Sequence, residues 1–311
     1  MKKILYILLF CLAVLEVRGQ QDAMYSQYYF NALAVNPAYA GSRESLTLTG
    51  LFRRQWLGIS SAPVTQTFSA HAPDYRRRNG FGLTLINDRI SYLGQTWITA
   101  SYAYRIDLGK HKLAFGLNGT VFNWRINWGQ AVLIDQQDEV PGRYGDSYWM
   151  PNVGAGIFFH GPRAYAGISA PHLLMNSFGA DGPTVSLGST NSSIAALRRH
   201  LFVMAGYVIE FNPDFQLKPS TLIKHVYGAP LEADINLNAY ILRKLGVGAS
   251  YRTGDGIVGI LEYQFTNQLR AGYAYDYPFT ALRRYTSGSH ELMLSYEFHY
   301  KNDAVVSPRV F

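Results

Sequence analysis

Glu232 and Asp234, two residues apart, come nearest in this chain to a catalytic pair. On a strand they share a face, and two carboxylates on one face can move a proton or hold a cation. A solvated wall is the plainer reading. The eight histidines are scattered, with no two at metal-ligand spacing near an acid, so no metal and no cofactor is expected. No HExxH, GxSxG, phosphate-binding loop or complete GxGxxG occurs. Gly154-Ala155-Gly156 and Gly246-Val247-Gly248 read as small residues where a strand bends or packs closely. The lone cysteine, Cys11, lies in an apolar N-terminal run, so disulfide, thiolate-metal and cysteine chemistry are not expected of a processed chain. No catalytic residue is expected, and the reading is a non-enzymatic protein.

Arginines are the other residues that could do something specific. They cluster at Arg53-Arg54, Arg76-Arg77-Arg78, Arg198-Arg199 and Arg283-Arg284 in a chain of net charge +7. Nothing resembles a nucleic-acid-binding fold, so nucleic acid is excluded as a partner. Guanidinium groups facing lipopolysaccharide or a polar lumen are the simple alternative.

The elements that must position these groups are strands. In Gln95–Ile106 the side chains of Ile98, Ala100, Tyr102, Tyr104 and Ile106 share one parity, opposite Trp97, Thr99, Ser101, Ala103 and Arg105. In Lys112–Trp124, Leu113, Phe115, Leu117 and Val121 alternate with Ala114, Asn118 and Thr120. Period 2 puts one set on each face of a strand. Both runs are near the ~9–11 residues that a tilted strand needs to cross a bilayer. Leu231–Leu242 repeats the pattern, with Ala233, Ile235, Leu237, Ala239 and Ile241 opposite Glu232, Asp234, Asn236 and Asn238.

Residues 1–19 read as a secretory signal: Met1-Lys2-Lys3, the apolar run Ile4–Leu15, then small residues before Gln20. That run is too short for the ~20 residues of a spanning helix. With 23 Tyr, 17 Phe, 29 Gly and only 16% charged residues, the composition is that of an exported all-β protein, and specifically of an outer-membrane β-barrel. A secreted sandwich or propeller shares much of it.

Residues 20–44 form an N-terminal segment rich in Tyr and turn pairs, for which the lumen offers a place. Residues 45–300 hold about fourteen candidate strands, and 301–311 form a polar tail. Connectors alternate in length. The long ones, Arg54–Val64, Arg125–Trp149, Pro171–Arg199 and Pro278–Gly288, follow odd-numbered strands. Short ones, such as Asp107–His111, Gly161–Pro162, Arg243–Lys244 and Thr266–Asn267, follow even-numbered strands. Transmembrane barrels have short periplasmic turns and long extracellular loops; a soluble sandwich has no reason to alternate this way. On that parity Arg76, Arg77 and Arg78 lie in a periplasmic turn, where they could dock an acidic partner.

Ordered motifs then carry a resemblance. Asn36-Pro37-Ala38-Tyr39-Ala40-Gly41-Ser42, Arg54-Gln55-Trp56-Leu57-Gly58-Ile59 and Ala62-Pro63-Val64-Thr65-Gln66 open it. Asn87-Asp88, Pro171-His172-Leu173, Asp234-Ile235-Asn236, Gly272-Tyr273-Ala274-Tyr275-Asp276 and Gly288-Ser289-His290-Glu291 continue it over nearly the whole chain. The chain resembles the PorP/SprF family of type IX secretion outer-membrane proteins of Bacteroidota. Ser61 and Ser91 depart from it, each standing where glycine is usual. The resemblance implies a non-enzymatic barrel in protein secretion or gliding-related surface display, with no catalytic, cofactor or metal residues. The partners it implies are the periplasmic PorK, PorN and PorE components and/or the type B C-terminal domain of a secreted adhesin. Asn36, Pro37, Tyr39, Arg54, Gln55, Trp56, Arg76, Arg77 and Arg78 are candidate partner-contact residues. The rival reading is a general diffusion porin or small-solute transporter. A lightly charged lumen parity carrying Phe122, Trp124 and Phe202 suits a filled interior better.

Overall fold

The computed structural model describes residues 25–127, 147–179, 182–186, 195–227 and 229–298. The expected signal peptide, the C-terminal tail and the last two residues of the fourteenth expected strand lie outside the described residues. A one-turn helix α1 (Ala32–Val35) and a 3-10 turn (Pro37–Tyr39) precede the first strand. There follow β1 (Leu46–Arg54), β2 (Val64–Pro73), β3 (Asn79–Ile90), β4 (Leu93–Leu108), β5 (His111–Ile126), β6 (Ser147–His160) and β7 (Ala164–Ala170). Three short strands in the next connector, β8 (Met175–Gly179), β9 (Gly182–Ser186) and β10 (Ala195–Ala196), form a separate small sheet. The wall resumes with β11 (His200–Tyr207), continued by β12 (Ile209–Asn212), then β13 (Phe215–Val226), β14 (Glu232–Ile241), β15 (Leu245–Arg252), β16 (Gly256–Gln264), β17 (Leu269–Pro278) and β18 (Ser289–Phe298).

With β11 and β12 counted as one, fourteen antiparallel strands make a closed barrel. β1 pairs with both β2 and β18, and β11 pairs with both β7 and β13, so among the described residues the wall closes on itself without an edge strand. Closure is what lipid demands, because an unpaired backbone edge has no water to bond. Alternation decides the faces. Ile98, Tyr102, Phe115, Leu117, Leu292 and Leu294 point outward and are exposed, while Trp97, Thr99, Ser101 and Arg105 are buried inside. Tyr104, Tyr207 and Tyr263 near the short-turn end, and Tyr251 and Tyr277 near the long-loop end, face outward as interfacial girdles.

The hairpins are tighter than the alternation alone predicts. Leu108 pairs with His111, so the expected five-residue turn contracts to Gly109-Lys110. Gly109 has φ +64, at the position where a two-residue type II′ loop requires glycine. Ser91, in the two-residue link between β3 and β4, has φ +56. That left-handed conformation is the reason glycine is usual there.

Candidate functional site

Residues 25–45 run through the interior from the long-loop end to the short-turn end, and nearly all are buried. At the long-loop end the backbone amides of Ser26 and Gln27 both donate to the Glu291 carboxylate, at 2.8 Å each. The Ser26 hydroxyl donates to Asp276 at 2.7 Å and accepts from Arg53 at 2.6 Å. Arg53 also reaches Asp276 at 2.5 Å and Glu291 at 3.1 Å, and its side chain is only 1% exposed. Arg252 extends the network, pairing with Asp234 at 2.9 Å and with Asp276 at 3.4 Å. Two arginines and three carboxylates thus form one network across the β14, β15, β17, β18 and β1 walls, and the segment's first amides complete it. A buried pair repays its desolvation only when further hydrogen bonds satisfy its remaining groups, and here the segment supplies them.

In the middle, the Tyr29 hydroxyl donates to Glu262 at 2.5 Å, and the Lys218 ammonium lies 4.8 Å from the centre of its ring. Tyr28 accepts from the Asn236 amide at 3.0 Å. Asn36 caps the 3-10 turn by accepting from the Ala38 amide at 2.9 Å, and its own amide donates to the Ile157 carbonyl of β6 at 3.0 Å. Ser169 of β7 donates to the Val35 carbonyl at 2.8 Å. The wall is cut to fit this turn. A β-carbon on Gly116 would collide with the Ala38 amide, and one on Gly156 would collide with the Asn36 side chain. Close packing, foreseen for the glycine pair in β6, is against the interior segment at Gly156 and against the Pro171 carbonyl at Gly154.

At the short-turn end Tyr39 sets its ring edge-on to His71 and Phe158, with centroids at 5.4 and 5.3 Å. Its hydroxyl accepts from Arg43 at 3.0 Å, and Arg43 pairs with Glu297 at 2.5 Å. Arg105 donates to the Gly41 carbonyl. Glu44 holds Arg77 at 3.1 Å and also pairs with Lys112. Beside the segment a small cavity of about 50 Å³ remains toward the long-loop end, lined in part by Tyr25, Trp97, His172 and Phe202.

The candidate contact residues fall in three separate places. Asn36, Pro37 and Tyr39 are buried in the interior segment, and Asn36 and Tyr39 bond to other parts of this chain. Arg54, Gln55 and Trp56 end β1 at the long-loop side. There the Trp56 amide donates to Ser289, and Leu57 and Ser287 tie this loop to the one between β17 and β18. Arg76, Arg77 and Arg78 occupy the β2–β3 turn at the opposite end, with Arg76 and Arg78 exposed and Arg77 turned onto Glu44.

Two readings change. The lumen parity is heavily charged, since Arg53, Arg105, Lys218, Lys224, Asp234, Arg252, Glu262, Asp276 and Glu291 are all buried. Glu232 and Asp234 are not a solvated wall either. They pair with Lys224 at 2.7 Å and with Arg252, the residues directly opposite them on β13 and β15. The signal was present in the sequence as charges confined to one parity. What was missing was the register that sets opposite signs side by side. Among the described residues no group of three or more His, Cys, Asp or Glu is placed to hold a metal.

This geometry meets an independent finding: residues 17–296 match the family model described as type IX secretion system membrane protein PorP/SprF. The chain belongs to the PorP/SprF family. It is an outer-membrane barrel, and the family makes it a component of type IX secretion. No curated protein matches this PorP/SprF chain significantly. Among solved structures it is similar to the CymD monoaromatic hydrocarbon channel, at 13% identity and TM-score 0.50 over 91% of this chain and 96% of that one. It is also similar to the Ralstonia pickettii toluene transporter TbuX, at 11% identity and TM-score 0.49 over 86% and 94%. Acinetobacter baumannii Omp33 matches at 8% identity and TM-score 0.46 over 82% and 100%. At 13% identity the CymD likeness speaks for the barrel alone.

Proposed function

We propose that this barrel works by recognition, as a binding and anchoring component of type IX secretion, and makes or breaks no bond. One observation carries the reading: the lumen is occupied by residues 25–45, fixed at both ends and in the middle by hydrogen bonds and ion pairs to the wall. A general diffusion porin needs that space for water. A barrel whose interior is spent on holding its own chain presents two rigid rims, and rims are where protein partners dock. The partners suggested by the family are the periplasmic PorK, PorN and PorE assembly and/or the type B C-terminal domain of a secreted adhesin.

The short-turn rim supports a periplasmic contact. Tyr75 is fully exposed beside Arg76 and Arg78, while Arg77 is committed to Glu44. An exposed aromatic flanked by unburied guanidinium groups suits an acidic protein surface. The test is purification from the native outer membrane in mild detergent, with mass spectrometry of co-purifying proteins, for the wild type and for Arg76→Glu/Arg78→Glu. Periplasmic lipoproteins in stable ratio, lost in the variant, support the core-machine reading. One large secreted protein, retained in both, supports cargo anchoring at the other rim. The barrel alone, with large and steady conductance in a planar bilayer, would hand the argument to the porin.

A further inference from the structure

The outer wall carries a second set of arginines that the lumen does not use. Arg54, Arg89 and Arg125 lie at the long-loop ends of β1, β3 and β5, all exposed and on the outward parity. The register puts them in a single row across five strands. Arg54 pairs with Val64, Val64 with Arg89, Arg89 with Gly94, and Gly94 with Arg125. Neighbouring strands are about 4.8 Å apart, so the arginine backbones stand roughly 10 Å from one to the next. Small residues fill the places between them, and the Arg125 side chain lies over Gly94, 3.7 Å from where a β-carbon would be. Among the described residues no carboxylate comes within ion-pair distance of these three guanidinium groups.

The outward rows beneath give the height of this one. The next row down reads Phe52, Gln66, Asn87, Thr96 and Asn123, largely polar, with Asn123 buried against Ser147 and Tyr148. Below that come Gly50, Phe68, Leu85, Ile98 and Val121, which are apolar apart from the glycine. Charge, then amide and hydroxyl, then hydrocarbon is the order met on passing from lipid headgroups into acyl chains. The far side of the barrel ends differently: the corresponding outward positions at or just past the ends of β13, β15 and β17 are Tyr227, Tyr251 and Tyr277. One face therefore offers a belt of neutral aromatics to the outer interface, and the other a row of cations with no ion-pair partner among the described residues.

The geometry points to a binding site for a phosphorylated lipid headgroup of the outer leaflet on the β1–β5 face, with Arg54, Arg89 and Arg125 as its phosphate ligands. Arginine is the side chain suited to this, because its planar donor fork matches two phosphate oxygens at once. Strand tilt makes the row slant through the headgroup layer, so phosphates at more than one depth are reached.

The test is native mass spectrometry of the full-length barrel in detergent with three probes: phosphorylated lipid A, dephosphorylated lipid A, and inorganic phosphate. Wild type is compared with Arg54→Gln/Arg89→Gln/Arg125→Gln, and with Arg76→Gln/Arg78→Gln as a control for charge at the other end. Expected is retention of phosphorylated lipid A by the wild type and the control, and weakening of roughly tenfold or more in the triple variant. Equal retention of the dephosphorylated lipid would overturn the proposal by showing that the apolar belt alone binds. Equal competition by inorganic phosphate would reduce the site to one for free anions. The comparison of the two lipids on wild type stands even if the triple variant fails to fold.

Discussion

Arg53 and Arg54 are neighbours in the chain and have nothing else in common. Arg53 points inward, is 1% exposed, and is held by two carboxylates and the Ser26 hydroxyl. Arg54 points outward at the membrane edge with no ion-pair partner among the described residues. One step along a strand turns a structural charge into one free for an outside ligand. The inward side of this wall is organised around the chain's own residues 25–45, and the outward side around lipid. Substitutions should separate the two sides cleanly.

The largest effect is expected inside. Glu291→Ala removes the acceptor of two backbone amides and one of the two carboxylates facing Arg53. Breaking a buried pair costs roughly 3–5 kcal/mol, and the low end applies because Asp276 still faces Arg53. Urea unfolding of the detergent-folded barrel should show a loss of about 3 kcal/mol. A loss under about 1 kcal/mol would mean that the interior segment holds without this anchor.

Two glycines on β5 sharpen the contrast. Gly116 faces inward against Ala38, and Gly119 faces outward with nothing within 4 Å of a β-carbon. Gly116→Val should destabilise by roughly 1–3 kcal/mol through overpacking, or dislodge the segment and make residues 25–45 accessible to protease. Gly119→Val should be neutral or slightly favourable, because valine suits both strand and lipid. Equal effects at the two sites would count against a filled lumen.

The sequence displayed the barrel because strand alternation is local: each run declares its own two faces, and connector length declares the two ends. The ion network is not local. Arg53 meets Glu291 across 238 positions, and Asp234 finds its partner only once β14 and β15 are in register. Charges on one parity of Leu231–Leu242 are visible in the sequence, but whether water or an opposite charge answers them is decided by neighbouring strands. The Asn36-Pro37-Ala38-Tyr39 motif stood out for the same reason that it was hard to interpret. Its residues suit a tight turn and hydrogen bonding, and the β6 groups that receive them, the Ile157 carbonyl and the Phe158 ring, lie over a hundred positions away.

Smaller effects belong to the turns, where neither side of the wall decides. Ser91→Gly should stabilise the barrel by up to about 1 kcal/mol, because Ser91 holds φ +56 at the price of a side-chain clash that glycine lacks. Urea midpoints of the two forms measure it. A fall in midpoint would show that the Ser91 side chain makes a contact worth more than the strain.

The smallest effect tests whether burial is what gives the inner charges their weight. Asp74, in the β2–β3 turn, accepts as many hydrogen bonds as the buried Asp276. It accepts from the Asn79 side chain at 2.6 Å and from the Arg78 and Asn79 amides at 2.9 and 3.1 Å. The Asn79 side-chain bond, ahead of the backbone amides, holds its pKa below the ordinary aspartate value. A depressed folded-state pKa gives stability that is present above the ordinary value of about 3.9 and is lost as pH falls through the lower, folded one. Because Asp74 lies in a water-exposed turn and is itself only partly buried, that contribution should be local and screened by salt. The Arg78 and Asn79 amide shifts should therefore titrate together with a midpoint below about 3.9, while the urea midpoint of the whole barrel barely moves in Asp74→Asn. A midpoint at or above the ordinary value would dismiss the three hydrogen bonds as the cause. A large drop in barrel stability would show that an exposed turn, and not the buried network alone, holds the wall together.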